Sequence, residues 1–327
     1  MKYNSEIMIK RFAVALSVFA SFLFTTEKAF AQDPHFTQFY ANPLYLNPAF
    51  AGSHRCPRIV FNYRNQWPNI SGTFISTPAS FDMRVEAVSG GLGIQFLNDR
   101  AGQGTMSITG FSGMYAYQLP ITREFSMAFG FEATFRQKKL DWTKLNFGDM
   151  IDPKYGFIYN TNEVQNKLVV SYPDFSAGVL GFSKRFYAGF AVFHLTEPEE
   201  GFLFTGSPLP MKFTGHAGAV VPLDGRYGES NISPNIIYQQ QQDFRELNLG
   251  VYITKGPIVG GLWYRNADAV VALVGFQQDM VKMGYSYDIT VSKLGIVTAG
   301  SHEISLQLLF KCHGRRPKFR TVSCPSF

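Results

Sequence analysis

The stretch FSMAFGFEATFR, from Phe125 to Arg136, decides the fold. Phe125, Met127, Phe129, Phe131, Ala133 and Phe135 take every second position, and Ser126, Ala128, Gly130, Glu132, Thr134 and Arg136 fill the places between. Successive side chains of a strand point to opposite faces, so one face here is aromatic and the other small and polar. A helix would scatter the phenylalanines around its circumference. An apolar face backed by a glutamate and an arginine fits a strand with lipid on one side and a polar lumen on the other.

Working outward, the same alternation returns. Leu247, Leu249, Val251 and Ile253 alternate with Glu246, Asn248, Gly250 and Tyr252. Val281, Met283, Tyr285, Tyr287 and Ile289 alternate with Lys282, Gly284, Ser286 and Asp288, and Ile304, Leu306, Leu308 and Phe310 with Glu303, Ser305, Gln307 and Leu309. Segments that alternate and end at turn signals predict strands over 55–67, 76–87, 90–98, 104–118, 123–137, 174–183, 185–195, 210–221, 230–241, 243–254, 256–265, 268–277, 279–289 and 301–311. The 104–118 and 185–195 segments alternate least cleanly. The count is even, as in single-chain bacterial barrels. The connections agree. Short turns at 88–89, 119–122, Lys184, Leu223–Glu229, Lys255 and Gln278 fall on one side, and the long loops 138–173, 196–209 and 290–300 on the other. Short inner turns and long outer loops mark a transmembrane antiparallel β-barrel of about fourteen strands, all-β, with both termini periplasmic.

Composition supports export and a membrane site. Charged residues are 17% of the chain, against about 25% in typical soluble proteins. Aromatics reach 16%. Lys2, Lys10 and Arg11 precede an apolar run from Phe12 to Phe24, and Ala29-Phe30-Ala31 has the small-x-small form of a cleavage site. Residues 1–31 therefore read as a cleaved signal peptide, the run being too short for the roughly 20-residue helix that spans a membrane. Gln32 stands where a lipoprotein needs cysteine. The expected organisation is a signal peptide (1–31), an N-terminal periplasmic segment or plug (32–54), an outer-membrane barrel (55–311) and a basic periplasmic tail (312–327).

The segment QDPHFTQFYANPLYLNPAFAGS, Gln32 to Ser53, is neither long helix nor interior strand, because Pro34, Pro43 and Pro48 interrupt both. Asp33, Phe36, Gln38, Phe39, Tyr40, Asn42, Tyr45 and Asn47 offer stacking and hydrogen bonds in a compact, proline-set form. They can plug and brace the barrel, since terminal segments need tying down, or dock a partner. The tail holds Arg315, Arg316, Lys318, Phe319 and Arg320 and no acid. It reads either as a solvated end or as a docking peptide for an acidic periplasmic protein or the peptidoglycan. Nucleic acid is not expected as a partner of an exported barrel.

No nucleophile–base pair, phosphate loop or metal-protease motif occurs, so no enzyme, cofactor or metal is expected. His54 with Cys56, and Cys312 with His313, are short pairs without the second pair that zinc needs. Glu132, Arg136, Lys282, Asp288 and Glu303 are expected to face the lumen, pairing with one another or contacting cargo. Glu197, Glu199 and Glu200 read as a solvated outer loop. Three cysteines leave one over. Cys312 and Cys324 are the expected disulfide, and Cys56 to a tail cysteine is the alternative.

The opening segment, with YRNQWP (Tyr63–Pro68), GYSYDIT (Gly284–Thr290), GSHEISL (Gly300–Leu306) and the Cys-Pro near the end, resembles the PorP/SprF family of type IX secretion membrane proteins of Bacteroidetes, across essentially the whole mature chain. The resemblance implies an outer-membrane barrel acting by binding. It implies as partners either the periplasmic ring of a lipoprotein and its companion subunit, or a large surface adhesin linked to gliding motility. Outer-membrane lipid surrounds such a barrel. The alternative from the residues alone is an outer-membrane transporter or porin for hydrophobic or small solutes.

Overall fold

A computed structural model describes residues 33–54, 56–163, 167–202, 206–223, 230–266, 268–291 and 299–311. The expectations for the signal peptide and for the tail, including Arg315, Arg316, Lys318, Phe319 and Arg320, lie outside the described residues. Residues Pro34–Phe327 make one compact unit and Met1–Asp33 another.

Fourteen long antiparallel strands stand among the described residues. They are β1 (Arg58–Gln66), β2 (Phe74–Val85), β3 (Gly90–Ala101), β4 (Met106–Pro120), β5 (Phe125–Leu140), β6 (Val169–Ser183) and β7 (Phe186–Phe193), then β8 (Lys212–Ala219), β9 (Ser230–Gln241), β10 (Phe244–Lys255), β11 (Ile258–Arg265), β12 (Ala269–Gln278), β13 (Val281–Thr290) and β14 (Ser301–Leu309). Each pairs with its neighbours in sequence, and β1 pairs with β14 from Arg58↔Leu309 to Gln66↔Ser301, which closes the ring. The closed all-β barrel read from the alternation is the fold, with every expected strand in place.

Most strand ends lie within two or three residues of the expected ranges, and the largest difference is between β5 and β6. β5 runs on to Leu140 and β6 begins at Val169, held by pairs such as Lys138↔Val170. Backbone pairing continues there beyond the apolar band, where alternation of hydrophobicity no longer marks it. The longest connection is therefore 141–168, and it carries a small hairpin, Ile151–Asp152 with Gly156–Phe157.

Side-chain direction follows the period of two. Phe129, Phe131 and Phe135 are exposed on the outside, while Ala128, Gly130, Glu132 and Thr134 between them are buried. The outer face of β5 is apolar from Phe125 to Phe135, a rise of roughly 25 Å for a tilted strand, which matches the apolar band of a membrane barrel.

The expectation of a uniformly small and polar inner face is corrected. Met114, Leu180, Phe182, Ile237, Trp263 and Leu273 point inward and form one apolar cluster with Phe39, Leu44, Leu46 and Phe50 of the N-terminal segment. The segment brings its own hydrophobic side chains into the barrel, and the wall facing them is apolar to match. Burying each such side chain is worth about 1.5–3 kcal/mol relative to leaving it in water, so a wet, detached segment is the costlier arrangement.

Candidate functional site

Residues 34–54 lie inside the barrel as three short turns: a 3-10 turn Phe39–Ala41, one α turn Pro43–Leu46 and a 3-10 turn Pro48–Phe50. Pro43 and Pro48 start the second and third of these, because proline at the first helical position lacks only an N–H that would be unpaired anyway. Asn47 caps the last turn, its Oδ1 accepting from the Ala49 N–H at 2.9 Å.

A buried polar cage holds the start of the segment. The Glu303 carboxylate on β14 accepts the backbone N–H of Thr37 (2.7 Å) and of Gln38 (3.1 Å), the side-chain amide of Asn62 (2.8 Å) and the Arg64 guanidinium (3.2 Å). Arg64 also binds Asp288 at 3.0 Å and donates to the Thr37 hydroxyl, which donates to Asp288 at 3.0 Å. Arg265 on β11 reaches the same Asp288 at 3.3 Å and Glu246 at 3.6 Å. Gln38 is fully buried, donating to the Ser286 hydroxyl (3.1 Å) and the Glu303 carbonyl (2.8 Å) and accepting from Ser305 and Tyr40. Two arginines neutralising several carboxylates at near-zero exposure is costly unless every group is paired. The segment's own N–H groups supply two of the four donors to the Glu303 carboxylate.

Aromatic contacts hold the middle. Phe39 meets Trp263 at 5.2 Å between centroids, Tyr40 meets Tyr252 at 5.2 Å, and Phe50 stacks on His216 at 5.2 Å. Phe36 packs edge-on to Tyr45, whose hydroxyl donates to the Pro34 carbonyl and whose ring lies under the Lys212 ammonium. Asn47 donates across the lumen to the carbonyls of Val179 (3.1 Å) and Phe190 (3.3 Å). The wall is cut to receive it. A Cβ on Gly130 would lie 2.2 Å from the Ala49 nitrogen, and one on Gly178 would lie 2.1 Å from the Asn47 side-chain oxygen. The Gly52 N–H donates to Asp82, which is itself paired with Arg58 at 2.8 Å, and the Gly52 carbonyl accepts from Gln118.

The structure brings Phe36, Gln38, Phe39, Tyr40, Asn42, Tyr45 and Asn47 into the lumen, all but Tyr40 and Tyr45 nearly fully buried. Asp33 falls in the separate unit Met1–Asp33. Asp288 and Glu303 are brought together by Arg64. Glu132 sits elsewhere, accepting from the Thr134 hydroxyl at 3.0 Å, and Arg136 lies 3.8 Å from Asp174. Lys282 faces inward on β13 opposite Gln307. Cys56 is disulfide-bonded, while Cys312 and Cys324 lie outside the described residues.

Arg64 and Arg265 escaped the sequence reading. Each sits on the inward parity of its strand, and a charge at that parity was the signal to follow. Glu200 is corrected. It is buried, not solvated, pairing with Lys138 at 3.0 Å and accepting from the Tyr172 hydroxyl at 3.1 Å, while Glu197 and Glu199 are exposed. Glu200 thus turns into the barrel at the end away from the start of β1 and the end of β14, and His194 near it contacts Asp174 at 2.6 Å.

One titration is testable. His35 packs against the cage, its Nε2 at 3.4 Å from an Arg64 guanidinium nitrogen. Burial, then the positive charges of Arg265, Arg64 and Lys212, push its pKa well below the ordinary value. The folded protein therefore keeps His35 neutral while the unfolded chain protonates below about pH 6.5. The His35 contribution is fully present above that pH and is lost as pH falls through it, with a slope of up to about 1.4 kcal/mol per pH unit for one proton. Unfolding followed between pH 7.5 and 5 is expected to show this loss. His35→Gln should lessen that slope by up to one proton's worth, and an unchanged slope in that variant would refute the assignment.

No curated protein matches the chain. Among solved structures, it is similar to a KdgM porin in complex with disordered oligogalacturonate (9% identity, TM-score 0.40, covering 78% of this chain and 99% of that one). It is also similar to outer membrane protein Omp33 of Acinetobacter baumannii (8%, 0.44, 79% and 100%) and to a FadL homologue of Pseudomonas aeruginosa (11%, 0.44, 81% and 93%). A family model gives the closer assignment, because it runs from residue 28 to residue 308, through the segment in the lumen and almost all of the barrel around it. The chain is an outer-membrane barrel and belongs to the family of type IX secretion system membrane proteins PorP/SprF.

Proposed function

We propose that this barrel serves type IX secretion by binding rather than by conducting or catalysing, as a membrane anchor for the secretion assembly or for an exported surface protein. The observation that carries the reading is the occupied lumen. The segment 34–54 reaches from β13 and β14 on one side to β6 and β7 on the other. Between it and β1, β7, β9, β10, β11 and β14 lies a pocket of about 40 Å³, room for about three waters. In this reading the end bearing both termini faces the periplasm, where the start of the segment and the basic tail meet ring subunits, a cargo domain or the peptidoglycan. A link to gliding adhesins follows if the partner is a surface adhesin.

The test is a mild-detergent pull-down of the tagged protein from its own envelope, read by mass spectrometry, beside a variant lacking 312–327. Near-equal amounts of a periplasmic lipoprotein and its companion place the barrel in the ring scaffold. A single very large surface protein makes it an adhesin anchor. The truncated barrel is expected to keep its heat-modifiable migration and lose most of the partner. Absence of any partner together with stepwise conductance of the intact protein would overturn the proposal in favour of a transporter.

A further inference from the structure

Three cations gather on the outside of the barrel at its loop end. Arg100 on β3 is exposed between buried Asp99 and Ala101, and Lys139 on β5 is exposed beyond buried Lys138, so both face away from the lumen. Register places them in one row. Arg100 pairs with Ser107 on β4, and Ser107 pairs with Lys139. Two strand spacings separate the arginine from the lysine, roughly 10 Å, a gap their side chains close on a single group above Ser107. Lys144, from the loop after β5, joins them over an open cleft of about 530 Å³, its ammonium held by the Gln103 carbonyl at 3.0 Å.

The charges are not spent within the protein. Among the described residues neither Arg100 nor Lys139 forms an ion pair with a carboxylate, and Arg100 donates only to the neighbouring Asn98 side chain at 3.1 Å. The one acid lining the cleft is Asp141, which contacts Lys144 at 3.9 Å. Its carboxylate already accepts the Thr143 hydroxyl (2.7 Å) and N–H (3.2 Å). Three cations against one occupied carboxylate leave the cleft positive.

The height of the row says what meets it. Phe96, Phe111 and Phe135 are paired across β3, β4 and β5, all exposed outward, and they end the apolar band. The cationic row lies four residues further along the same strands, about 13 Å along a strand and nearer 10 Å along the membrane normal once tilt is allowed for. Aromatic girdles mark the membrane interface, and the next layer outward is that of the lipid headgroups. Arg and Lys side chains snorkel to that level. Between the rows stand Asn98, Thr109 and Gln137, polar and uncharged, with the Asn98 amide donating to Thr109 at 3.0 Å.

We propose that Arg100, Lys139 and Lys144 form a site for the phosphorylated headgroup of a lipid in the leaflet around the loop end of the barrel, with Ser107 at its floor and the phenylalanine row against its acyl chains. A guanidinium gives bidentate hydrogen bonds to phosphate and the ammonium groups give point charges.

The experiment uses the full-length protein in phosphatidylcholine vesicles containing a minor fraction of phosphatidic acid, a phosphomonoester lipid, with retained lipid counted by native mass spectrometry. The wild type is expected to retain phosphatidic acid over phosphatidylcholine. The triple variant R100Q/K139Q/K144Q is expected to lose that preference by about a hundredfold, roughly fivefold for each surface cation removed. The swap R100K/K139R should keep most of it. Heat-modifiable migration reports whether each variant still folds, and if the triple variant does not, R100Q alone is read against the swap. Equal retention by a folded variant overturns the site. Displacement of phosphatidic acid by an equal concentration of inorganic phosphate also overturns it, showing a free-anion site instead.

Discussion

Glu303→Ala is expected to destabilise the barrel by about 3–5 kcal/mol, the cost of breaking a buried charge network by removing one member. Glu303 is fully buried and accepts from four donors, two of which are backbone N–H groups of the segment. The variant leaves the Thr37 and Gln38 N–H groups and the Asn62 amide with no acceptor there, each costing about 1–3 kcal/mol if water does not replace it. Arg64 keeps Asp288 at 3.0 Å, which limits the loss. Glu303→Gln retains an acceptor of the same shape but not the charge, so its loss should be smaller. The measurement is urea unfolding from vesicles, with heat-modifiable migration as a second probe. A loss below about 0.5 kcal/mol, within the range of ordinary surface substitutions, would falsify the view that this carboxylate is the segment's main anchor.

Deleting Pro34–Ser53 is expected to convert a silent barrel into a conducting one, the largest functional change predicted. The fourteen-strand ladder does not run through the segment, so the wall should still form and shift on heating. What the deletion removes is the filling: Phe39 from Trp263, Phe50 from His216 and Asn47 from the carbonyls of Val179 and Phe190. The inner face it uncovers at the cage carries Arg64, Arg265, Asp288 and Glu303, which water solvates readily. Planar-bilayer recordings should show stepwise openings absent from the full chain. Gly130→Val tests the same idea without a deletion, because the added atoms fall where the Ala49 backbone lies and force the last turn off the wall. Silence from a folded deletion variant would show that loop 194–211, tied by Glu200 to Lys138, closes the barrel unaided.

The cage and the lipid-side row lie on opposite faces of one wall, and the period of two keeps them apart. On β5, Lys138 turns in to Glu200 while Lys139 turns out to the cleft. A slip of one residue would exchange them and turn the phenylalanines into the lumen. The strand register is thus strongly specified by the same pattern that revealed it.

Much of this architecture is local, and so was legible in the chain. Alternation from Phe125 to Phe135 determined a strand and its two faces, and repeated alternation with turn signals between determined the number of strands and the parity of the loops. Pro34, Pro43 and Pro48 determined that the opening segment would be neither a long helix nor an interior strand. Where β5 and β6 leave the apolar band the alternation fades, and their ends could not be read. Only the tertiary structure decided what fills the barrel. Thr37 and Glu303 are 266 residues apart in sequence, yet one carboxylate serves both the segment and the wall. Gly130 reads as a small inward residue until Ala49 is seen against it, and nothing in the chain shows that Asn47 will lie against Gly178. Arg64 carries no sign in its neighbours that it will join Asp288 to Glu303. Such pairings depend on closing the ring, which sets strands far apart in the chain side by side, and no periodicity in a sequence records which distant residue will stand opposite.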